Sequence, residues 1–348
     1  MNKLFVVFPI SGPNNGVKII SNHIIEKLRD KGVNLELIDL AQAREFSNFG
    51  RFEFSKVIQS FKILLKILSI PRKSFVYINF TAKGFAYYRD LFFIITSKFL
   101  SHKITLHIHE NGHENRSSTF LKKLLKNINV VVINKRQLRN LSYLNNIYLL
   151  DNSLPDYNTN NSTDTKQQKL LFFSNLSILK GIDFLCDFCD LMYKEMKTPY
   201  KLTICGGVLD AYTEQRLNCL LKKYNFIEYL GAIESVEEKK KIFQKHSLLL
   251  FTSEENSEVY PLVYIEALMF GLGIITTKQV VSQKVVRNGN GLIISEINKE
   301  VFSDINSLLS TNVDEKSRQL YLKGYSFEDF ISNLYKIIFR EDDKFRTN

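Results

Sequence analysis

The run LLFFSNLSILKGIDFL, residues 170–185, decides how this sequence folds. It begins with a short apolar segment of strand length, continues through a glycine-containing turn, and ends with apolar residues at helical spacing. Similar apolar runs occur at residues 4–9, 35–40, 75–79, 104–109, 130–133, 147–150, 170–174, 201–205, 227–230, 248–251, 273–276 and 292–294. Because longer segments with helical spacing lie between them, the sequence predicts parallel α/β sheets covered on both faces.

The alternation of strand-like and helix-like segments is interrupted once along the chain and then resumes. Residues 156–168 have no core-forming periodicity and are typical of a linker. We therefore predict two doubly wound domains with a cleft between them, at residues 1–155 and 169–325. Apolar spacing over residues 327–339 predicts a final helix, and we expect the segment 326–348 to pack back toward the N-terminal domain.

The charge of the chain is unevenly distributed. The 348 residues are 45% hydrophobic and 24% charged, a balance that excludes disordered, collagen-like and coiled-coil proteins. Residues 1–155 contain 23 basic and 10 acidic side chains, whereas the rest of the chain contains 24 and 26. The net charge of +11 therefore belongs to the N-terminal half, which suits an anionic partner.

Signals for export, redox chemistry and nucleic-acid binding are weak. The N-terminal apolar run is too short for a signal peptide, and no apolar stretch approaches the roughly 20 residues that span a bilayer, so we expect a cytoplasmic protein. Cys186 and Cys189 form a Cys-x-x-Cys, but their helical apolar context favours a buried helix face over a redox or metal site. No recognisable nucleic-acid module accompanies the basic residues.

Three glycine-containing turns follow predicted strands, where parallel sheets bind ligands and helix N-termini favour anions. They are PISGPNNG at residues 9–16, SNLSILKG at 174–181 and CGGV at 205–208. The first contains neither a Gly-x-Gly-x-x-Gly fingerprint nor a Gly-Lys-Ser/Thr loop, which weakens dehydrogenase and nucleotide triphosphatase interpretations. An ordinary strand-to-helix turn also fits this segment.

Two carboxylates eight residues apart form the strongest constellation, in EVYPLVYIEALMFG at residues 258–271. Pro261 suits the first turn of a helix because proline lacks an N–H. Glu258 then precedes the helix and Glu266 lies inside it, facing the same cleft. Carboxylates suit the vicinal hydroxyls of a sugar, and the helix N-terminus suits a phosphate. The alternative is a solvated Glu258 that caps the helix and an unrelated surface Glu266.

These residues resemble the Glu-x7-Glu signature of retaining GT-B glycosyltransferases of family 4 (group 1), of the bacterial surface-polysaccharide class. The similarity extends to further segments at residues 151–156 (DNSLPD), 170–185, 201–207 (KLTICGG), 229–233 (YLGAI), 247–253 (SLLLFTS) and 288–294 (NGNGLII). The resemblance implies two Rossmann-like domains that face a central cleft. It also implies transfer of a sugar from a nucleotide-diphosphate sugar to a glycan.

The resemblance further implies roles for single residues. Glu258 would contact the donor sugar, Glu266 would bind the ribose, and Lys180 would neutralise the departing diphosphate. His109 would lie near the donor sugar as a third catalytic residue. The other donor contacts implied are Asn175, Gly206, Gly207, Tyr260, Pro261, Leu262, Gly12 and Gly16. Asn175 replaces the arginine that is usual in the family, and its single uncharged donor group lacks the charged bidentate fork of arginine for a phosphate.

No metal and no other cofactor is expected beside a UDP- or GDP-sugar substrate, since the sequence contains no Asp-x-Asp. A metal cluster formed by His107, His109, Glu110 and His113 is the alternative. Two histidines on one strand face, without a further spaced partner, support it weakly.

The basic half is expected to bind the acceptor. Residues 54–68 carry an apolar helical stripe with lysines beside it, and such a helix can lie on an anionic membrane. A core-facing helix with a solvated basic side also fits. The candidate contacts of a polyprenyl-diphosphate-linked glycan, or of the inner face of the cytoplasmic membrane, are Lys62, Lys66, Lys83, Arg89 and Arg116.

Two other kinds of protein fit parts of the pattern. Asn175 motivates a catalytically silent sugar-nucleotide-binding or scaffold protein. The same fold would also suit a sugar-nucleotide epimerase or a glycogen synthase-like enzyme. Transfer of sugar to a lipid-linked acceptor distinguishes the proposed enzyme from these.

Overall fold

A computed structural model of the chain describes residues 3–12, 15–41, 54–113, 119–158, 169–255 and 257–339, with residues 54–56 as backbone only. The chain divides into two compact units. Unit 1 consists of Met1–Ser153 and Phe327–Asn348, and unit 2 consists of Leu154–Ser326. Most of the predicted linker, residues 159–168, lies outside the described residues.

Unit 1 is built on a six-stranded parallel sheet. Its strands are β1 (Leu4–Phe8), β2 (Leu35–Asp39), β3 (Phe75–Asn79), β4 (Lys103–Ile108), β5 (Asn129–Val132) and β6 (Ile147–Leu149), in the order β2-β1-β3-β4-β5-β6. Its helices in the described ranges are α1 (Gly16–Asp30), α2 (Phe54–Leu68), α3 (Gly84–Phe99), α4 (Thr119–Leu125), α5 (Lys135–Asn140) and α13 (Phe327–Phe339).

Unit 2 has a second parallel sheet of six strands. They are β7 (Lys169–Phe173), β8 (Lys201–Cys205), β9 (Ile227–Gly231), β10 (Leu248–Phe251), β11 (Gly273–Thr276) and β12 (Gly291–Ile293), in the order β12-β11-β10-β7-β8-β9. The helices are α6 (Ile182–Glu195), α7 (Ala211–Lys223), α8 (Val236–Lys245), α9 (Leu262–Met269), α10 (Ser282–Val285), α11 (Glu300–Leu309) and α12 (Val313–Gly324).

The strands form where the sequence has short runs of apolar residues, because a central strand of a parallel sheet is buried on both faces. β1, β3 and β10 are buried along their whole length. All twelve observed strands agree with the twelve predicted runs to within one residue at either end. The predicted architecture of two doubly wound parallel sheets is therefore confirmed.

The strand order places the candidate sites. In open α/β sheets, ligands bind beyond the carboxyl ends of the strands at the switch point, which is the place where the strand order reverses direction. In unit 2 this point lies between the neighbours β7 and β10, which are followed by Asn175 and Thr252. In unit 1 it lies at β1, which is followed by the turn that contains Gly12.

The helix α13 is part of unit 1 although it follows unit 2 in the sequence. It packs against α1, β3 and β4, and its apolar face is buried. Asn129 donates its side-chain N–H to the carbonyl oxygen of Ile337 over 2.7 Å, and Glu328 forms an ion pair with Lys27 of α1. These contacts tie α13 to the sheet that contains β1.

The helix α6 buries Cys186 and Cys189 in the core of unit 2, which confirms the predicted buried helix face. Burial raises the pKa of the Cys186 thiol to about 11, so the reactive thiolate is scarce at neutral pH. Within the described ranges, no three His, Cys, Asp or Glu side chains are grouped so that they could hold a metal ion. No described helix is long and apolar enough to cross a bilayer.

Candidate active site

The loop after β7 is fastened to the end of β10. Residues Ile178–Lys180 form a 3-10 turn, and Gly181 follows with a φ of 78°, which favours glycine. The Thr252 hydroxyl lies 3.1 Å from the carbonyl oxygens of both Lys180 and Gly181. A Cβ on Gly181 would lie 2.0 Å from the Thr252 carbonyl oxygen, so a larger residue does not fit. This packing fixes Lys180 at the switch point of unit 2.

Lys180 and Glu258 form an ion pair at this point. Their side chains are 27% and 18% exposed, and the pair joins the loop after β7 to the segment before α9. Burial lowers the pKa of Lys180 to about 8, because a cation loses hydration in the protein. The structure therefore brings together two of the three predicted catalytic residues, although they are far apart in the sequence.

Gly206 and Gly207 connect the ends of β7 and β8. Gly206 has a φ of 142°, and a Cβ there would lie 1.8 Å from the carbonyl oxygen of Ser174. Gly207 donates its N–H to Oδ1 of Asn175 over 3.3 Å, and the Tyr229 hydroxyl donates to the Gly206 carbonyl over 2.9 Å. The amide oxygen of Asn175 thus holds the neighbouring glycine turn in place.

The helix α9 begins at Leu262, within one residue of the predicted start. Pro261 precedes the first turn as an extended residue, with φ −62° and ψ 119°, and does not lie inside it. Tyr260 is buried, and its hydroxyl donates to the hydroxyl of Tyr325 over 3.2 Å. Backbone N–H groups of the first turn of α9 and the positive end of its dipole therefore lie next to Glu258 in the chain.

Glu266 is buried, with 5% of its surface exposed, so the alternative of a surface carboxylate is wrong. Its Oε1 lies 2.7 Å from Nζ of Lys239 on α8. The Lys239 ammonium also lies 5.2 Å from the centre of the Phe173 ring. Glu258 and Glu266, the two predicted carboxylates, therefore form ion pairs with different lysines, Lys180 and Lys239.

Sequence reasoning missed Lys239. The signal that could have found it is the capping-box pattern Ser235-x-x-Glu238. The Ser235 hydroxyl accepts the N–H of Glu238 over 3.3 Å and starts α8. This start places Lys239 in the first turns of the helix, where its long side chain reaches α9.

The turn after β1 in unit 1 leads directly into α1. Gly12 has a φ of 81°, and Gly16 is the first residue of the helix, after the N-cap Asn15. Asp39, at the end of β2, accepts two backbone N–H bonds of 2.9 Å and holds the chain around this turn. Residues 13 and 14, at its centre, lie outside the described residues.

His109 follows β4 and is buried beside His107, with ring centres 3.9 Å apart. Nδ1 of His107 is hydrogen-bonded to the Tyr77 hydroxyl over 2.6 Å. Burial lowers the pKa of His109 to about 3, so its imidazole is neutral at physiological pH. In the part of the chain that the structure describes, Nε2 of His109 has no hydrogen-bond partner.

Glu110 is a second polar group at this strand end, which sequence reasoning considered only as a metal ligand. Burial raises the pKa of its carboxyl group, although the N–H of Ala82 donates to Oε2 over 3.2 Å. Gln137 donates to its backbone carbonyl over 3.0 Å and positions the turn. The run of polar residues directly after a buried strand, HENGH at 109–113, was the signal in the sequence.

The acceptor candidates separate into two groups. Lys62, Lys66 and Lys83 are exposed on α2 and before α3. Arg89 is buried and paired with Asp90, with 2.7 Å between Nη2 and Oδ1. Because Arg89 is buried, the expectation that it meets a membrane is wrong. Arg116 lies outside the described residues.

Residues 156–326 match the family model of glycosyl transferases group 1. The match covers almost all of unit 2. A search of curated protein sequences gives no significant match to the chain.

Solved structures resemble the chain over nearly its whole length. They include a glycosyltransferase from Rickettsia africae (14% identity, TM-score 0.70, 98% of this chain and 99% of that chain). Anabaena HepE in complex with UDP and glucose has 14% identity and a TM-score of 0.71, over 98% and 100% of the chains. Sucrose-phosphate synthase from Thermosynechococcus elongatus has 14% identity and a TM-score of 0.67, over 98% and 100%. These similarities confirm the predicted GT-B fold.

Proposed function

We propose that this chain is a group 1 glycosyltransferase, specifically a retaining, family 4-type hexosyltransferase that moves a sugar from a UDP- or GDP-sugar to a glycan. The observation that carries the proposal is the Lys180–Glu258 ion pair at the switch point of a group 1 domain. The structure of HepE was obtained with UDP and glucose, and another with UDP-glucose, which supports a nucleotide-sugar donor here.

The two ion pairs account for donor binding in this proposal. The diphosphate takes the place of Glu258 beside Lys180, and the released carboxylate accepts hydrogen bonds from hydroxyls of the donor sugar. Glu266 binds the ribose hydroxyls while Lys239 balances its buried charge. Lys180 and the N-terminus of α9 stabilise the charge that develops on the leaving diphosphate, so the proposed reaction needs no metal ion and no cofactor.

The proposed acceptor is a polyprenyl-diphosphate-linked glycan that binds unit 1. This acceptor is anionic, which suits the net charge of +13 over residues 1–155. The departing phosphate assists the incoming hydroxyl, which gives retention. We place the reaction in O-antigen or capsule biosynthesis, with the protein peripheral to the inner face of the cytoplasmic membrane.

A transfer assay with a panel of radiolabelled UDP- and GDP-sugars and a polyprenyl-diphosphate glycan tests this proposal. We expect Glu258→Gln and Lys180→Met to abolish transfer, whereas Lys278→Met, at a lysine that is 72% exposed, retains it. Donor binding without transfer to any acceptor of the panel would instead indicate a silent sugar-nucleotide-binding protein. Interconversion of donor sugars without an acceptor would indicate an epimerase.

A further inference from the structure

Large apolar side chains are exposed on α2 and α3 of unit 1. Of nineteen such exposed residues in the described ranges, nine lie on these two helices. They are Ile58, Phe61, Leu65 and Leu68 on α2, and Phe85, Tyr88, Phe92, Ile95 and Phe99 on α3. The exposed fraction reaches 59% for Phe61, 51% for Phe92 and 76% for Phe99. These nine residues are called the α2–α3 face below.

Each helix carries its exposed residues in one stripe. The positions advance by three and four residues in turn, which keeps them on one side of a helix. The opposite sides are buried through Ile63 and Ile67 on α2 and through Phe93 and Ile94 on α3. The core-facing interpretation of the α2 stripe is therefore wrong for these residues, because the helix uses other isoleucines to reach the core.

The two stripes belong to neighbouring helices on the same side of the sheet. The crossovers β2-α2-β3 and β3-α3-β4 run in the same direction across the order β2-β1-β3-β4, so right-handed connections place both helices on one face. α2 and α3 also contact each other. The face is consequently broader than one helix, and larger than the scattered exposed apolar residues of an ordinary surface.

The charges around the α2–α3 face have one sign. Residues 54–103 contain nine basic residues and a single acidic one, Asp90. Asp90 is buried and paired with Arg89. Lys62 and Lys66 are exposed on α2, whereas the ammonium group of Lys98 donates to backbone carbonyls at the end of α4. A second copy of this chain on the same face would place like charges opposite one another, whereas an anionic lipid surface complements both the apolar stripes and the lysines.

We propose that the α2–α3 face docks on an anionic lipid bilayer, with the aromatic and aliphatic side chains in the headgroup region and the lysines on lipid phosphates. This deepens the proposed function, on which it rests for the membrane-held acceptor, by identifying the surface that meets the membrane. Each basic group near the lipid surface contributes on the order of a fivefold gain in binding.

Vesicle sedimentation of the full chain tests the docking surface. Vesicles of phosphatidylcholine with phosphatidylglycerol are compared with phosphatidylcholine alone, at low and high salt. We expect binding to the anionic vesicles only, weaker at high salt, and a loss of about tenfold or more in Phe61→Ser/Phe92→Ser and in Lys62→Gln/Lys66→Gln. The matched controls Tyr193→Ser/Leu322→Ser and Lys194→Gln/Lys197→Gln, at exposed positions of unit 2, keep wild-type binding.

Equal binding to neutral vesicles, no binding to anionic ones, or unchanged binding of both α2–α3 face variants would overturn the docking proposal. So would a concentration-dependent dimer that Phe61→Ser/Phe92→Ser abolishes, since the face would then meet a second copy. UDP binding and transfer to a water-soluble acceptor are measured without vesicles in the same variants. If Lys180→Met loses UDP binding and transfer but still binds vesicles, this result bears only on the proposed function. The same holds if the wild-type protein binds vesicles but shows neither UDP binding nor transfer.

Discussion

Nζ of Lys239 lies 2.7 Å from Oε1 of Glu266, and this ion pair joins α8 to α9 inside unit 2. Glu266 is almost fully buried, whereas the lysine side chain is 20% exposed. A buried carboxylate without its cation retains the cost of its lost hydration, so the lysine matters most through the charge that it compensates. The pair is thus both a structural link and part of the proposed ribose site.

Replacement of Lys239 by methionine should destabilise unit 2. We expect the free energy of unfolding to fall by about 2 kcal/mol, because Glu266 is left buried and unpaired. In the double variant Lys239→Met/Glu266→Gln, the total loss should be smaller than the sum of the two single losses. Urea unfolding measures these values, with Lys241→Met, at an exposed position of the same helix, as the control. Strictly additive losses would contradict the coupling.

The pH dependence of donor binding should follow Lys180. Its pKa of about 8 means that the ammonium form predominates below this pH and is lost above it. We therefore expect UDP affinity to weaken as the pH rises from 7 to 9.5, with proton uptake on binding in the upper part of this range. Calorimetry in buffers of different ionisation enthalpy measures both effects. Lys180→Arg keeps its charge and should show a flatter profile, so an unchanged profile in this variant would argue against Lys180.

The glycine turn at the end of β8 should tolerate no side chain at Gly206. Gly206→Ala places a methyl group 1.8 Å from the Ser174 carbonyl oxygen, and we expect a loss of about 4 kcal/mol or more in the free energy of unfolding. Gly231 is the matched control, since its φ is also positive but no atom lies within 4 Å of a Cβ there. Gly231→Ala should cost only about 1 kcal/mol of backbone strain. Similar losses in the two variants would show that the close approach is not the cause.

Acid should destabilise unit 1 through its buried histidines. The pKa of His107 lies well below its usual value, and that of His109 is about 3, in both cases chiefly because of burial. The unfolded chain therefore binds more protons than the folded one between pH 6.5 and 3, and stability falls as the pH decreases through this window. Each histidine contributes a slope of up to about 1.4 kcal/mol per pH unit.

Unfolding by urea at several pH values tests this assignment. His107→Gln/His109→Gln should be less stable at pH 7 but should lose stability less steeply toward pH 4. His23→Gln, on α1, serves as the control at a position where 21% of the side chain is exposed. An equally steep loss in the double variant would place the acid sensitivity elsewhere.

The positions of the strands and the helix start at Pro261 could be predicted from the sequence because each depends on local chemistry. A short apolar run such as LLLF at β10 is typical of a strand buried on both faces, and proline is typical of the start of a helix. The meeting of Lys180 with Glu258 could be expected only from family resemblance. No local rule relates a loop after β7 to a segment before α9.

Other features depend on which side of an element meets the core. From its sequence, Arg89 is expected at the surface because it is charged. In the structure it is buried and forms an ion pair with Asp90, the next residue in the chain. Phe61 and Leu65 are apolar and are therefore expected in the core. They are exposed instead, because α2 packs on the core through Ile63 and Ile67. α2 is apolar around much of its circumference, so periodicity alone does not select the buried side.

By itself, the sequence determined the alternation of strand and helix, the glycine turns and the carboxylate pair with its spacing, since these follow from burial and from backbone conformation within a few residues. Only the tertiary structure decided which charges pair, that Lys239 serves Glu266, and that the α2–α3 face remains exposed. The strand order brings distant segments within a few ångströms, and ion pairing and burial both depend on that distance rather than on separation along the chain.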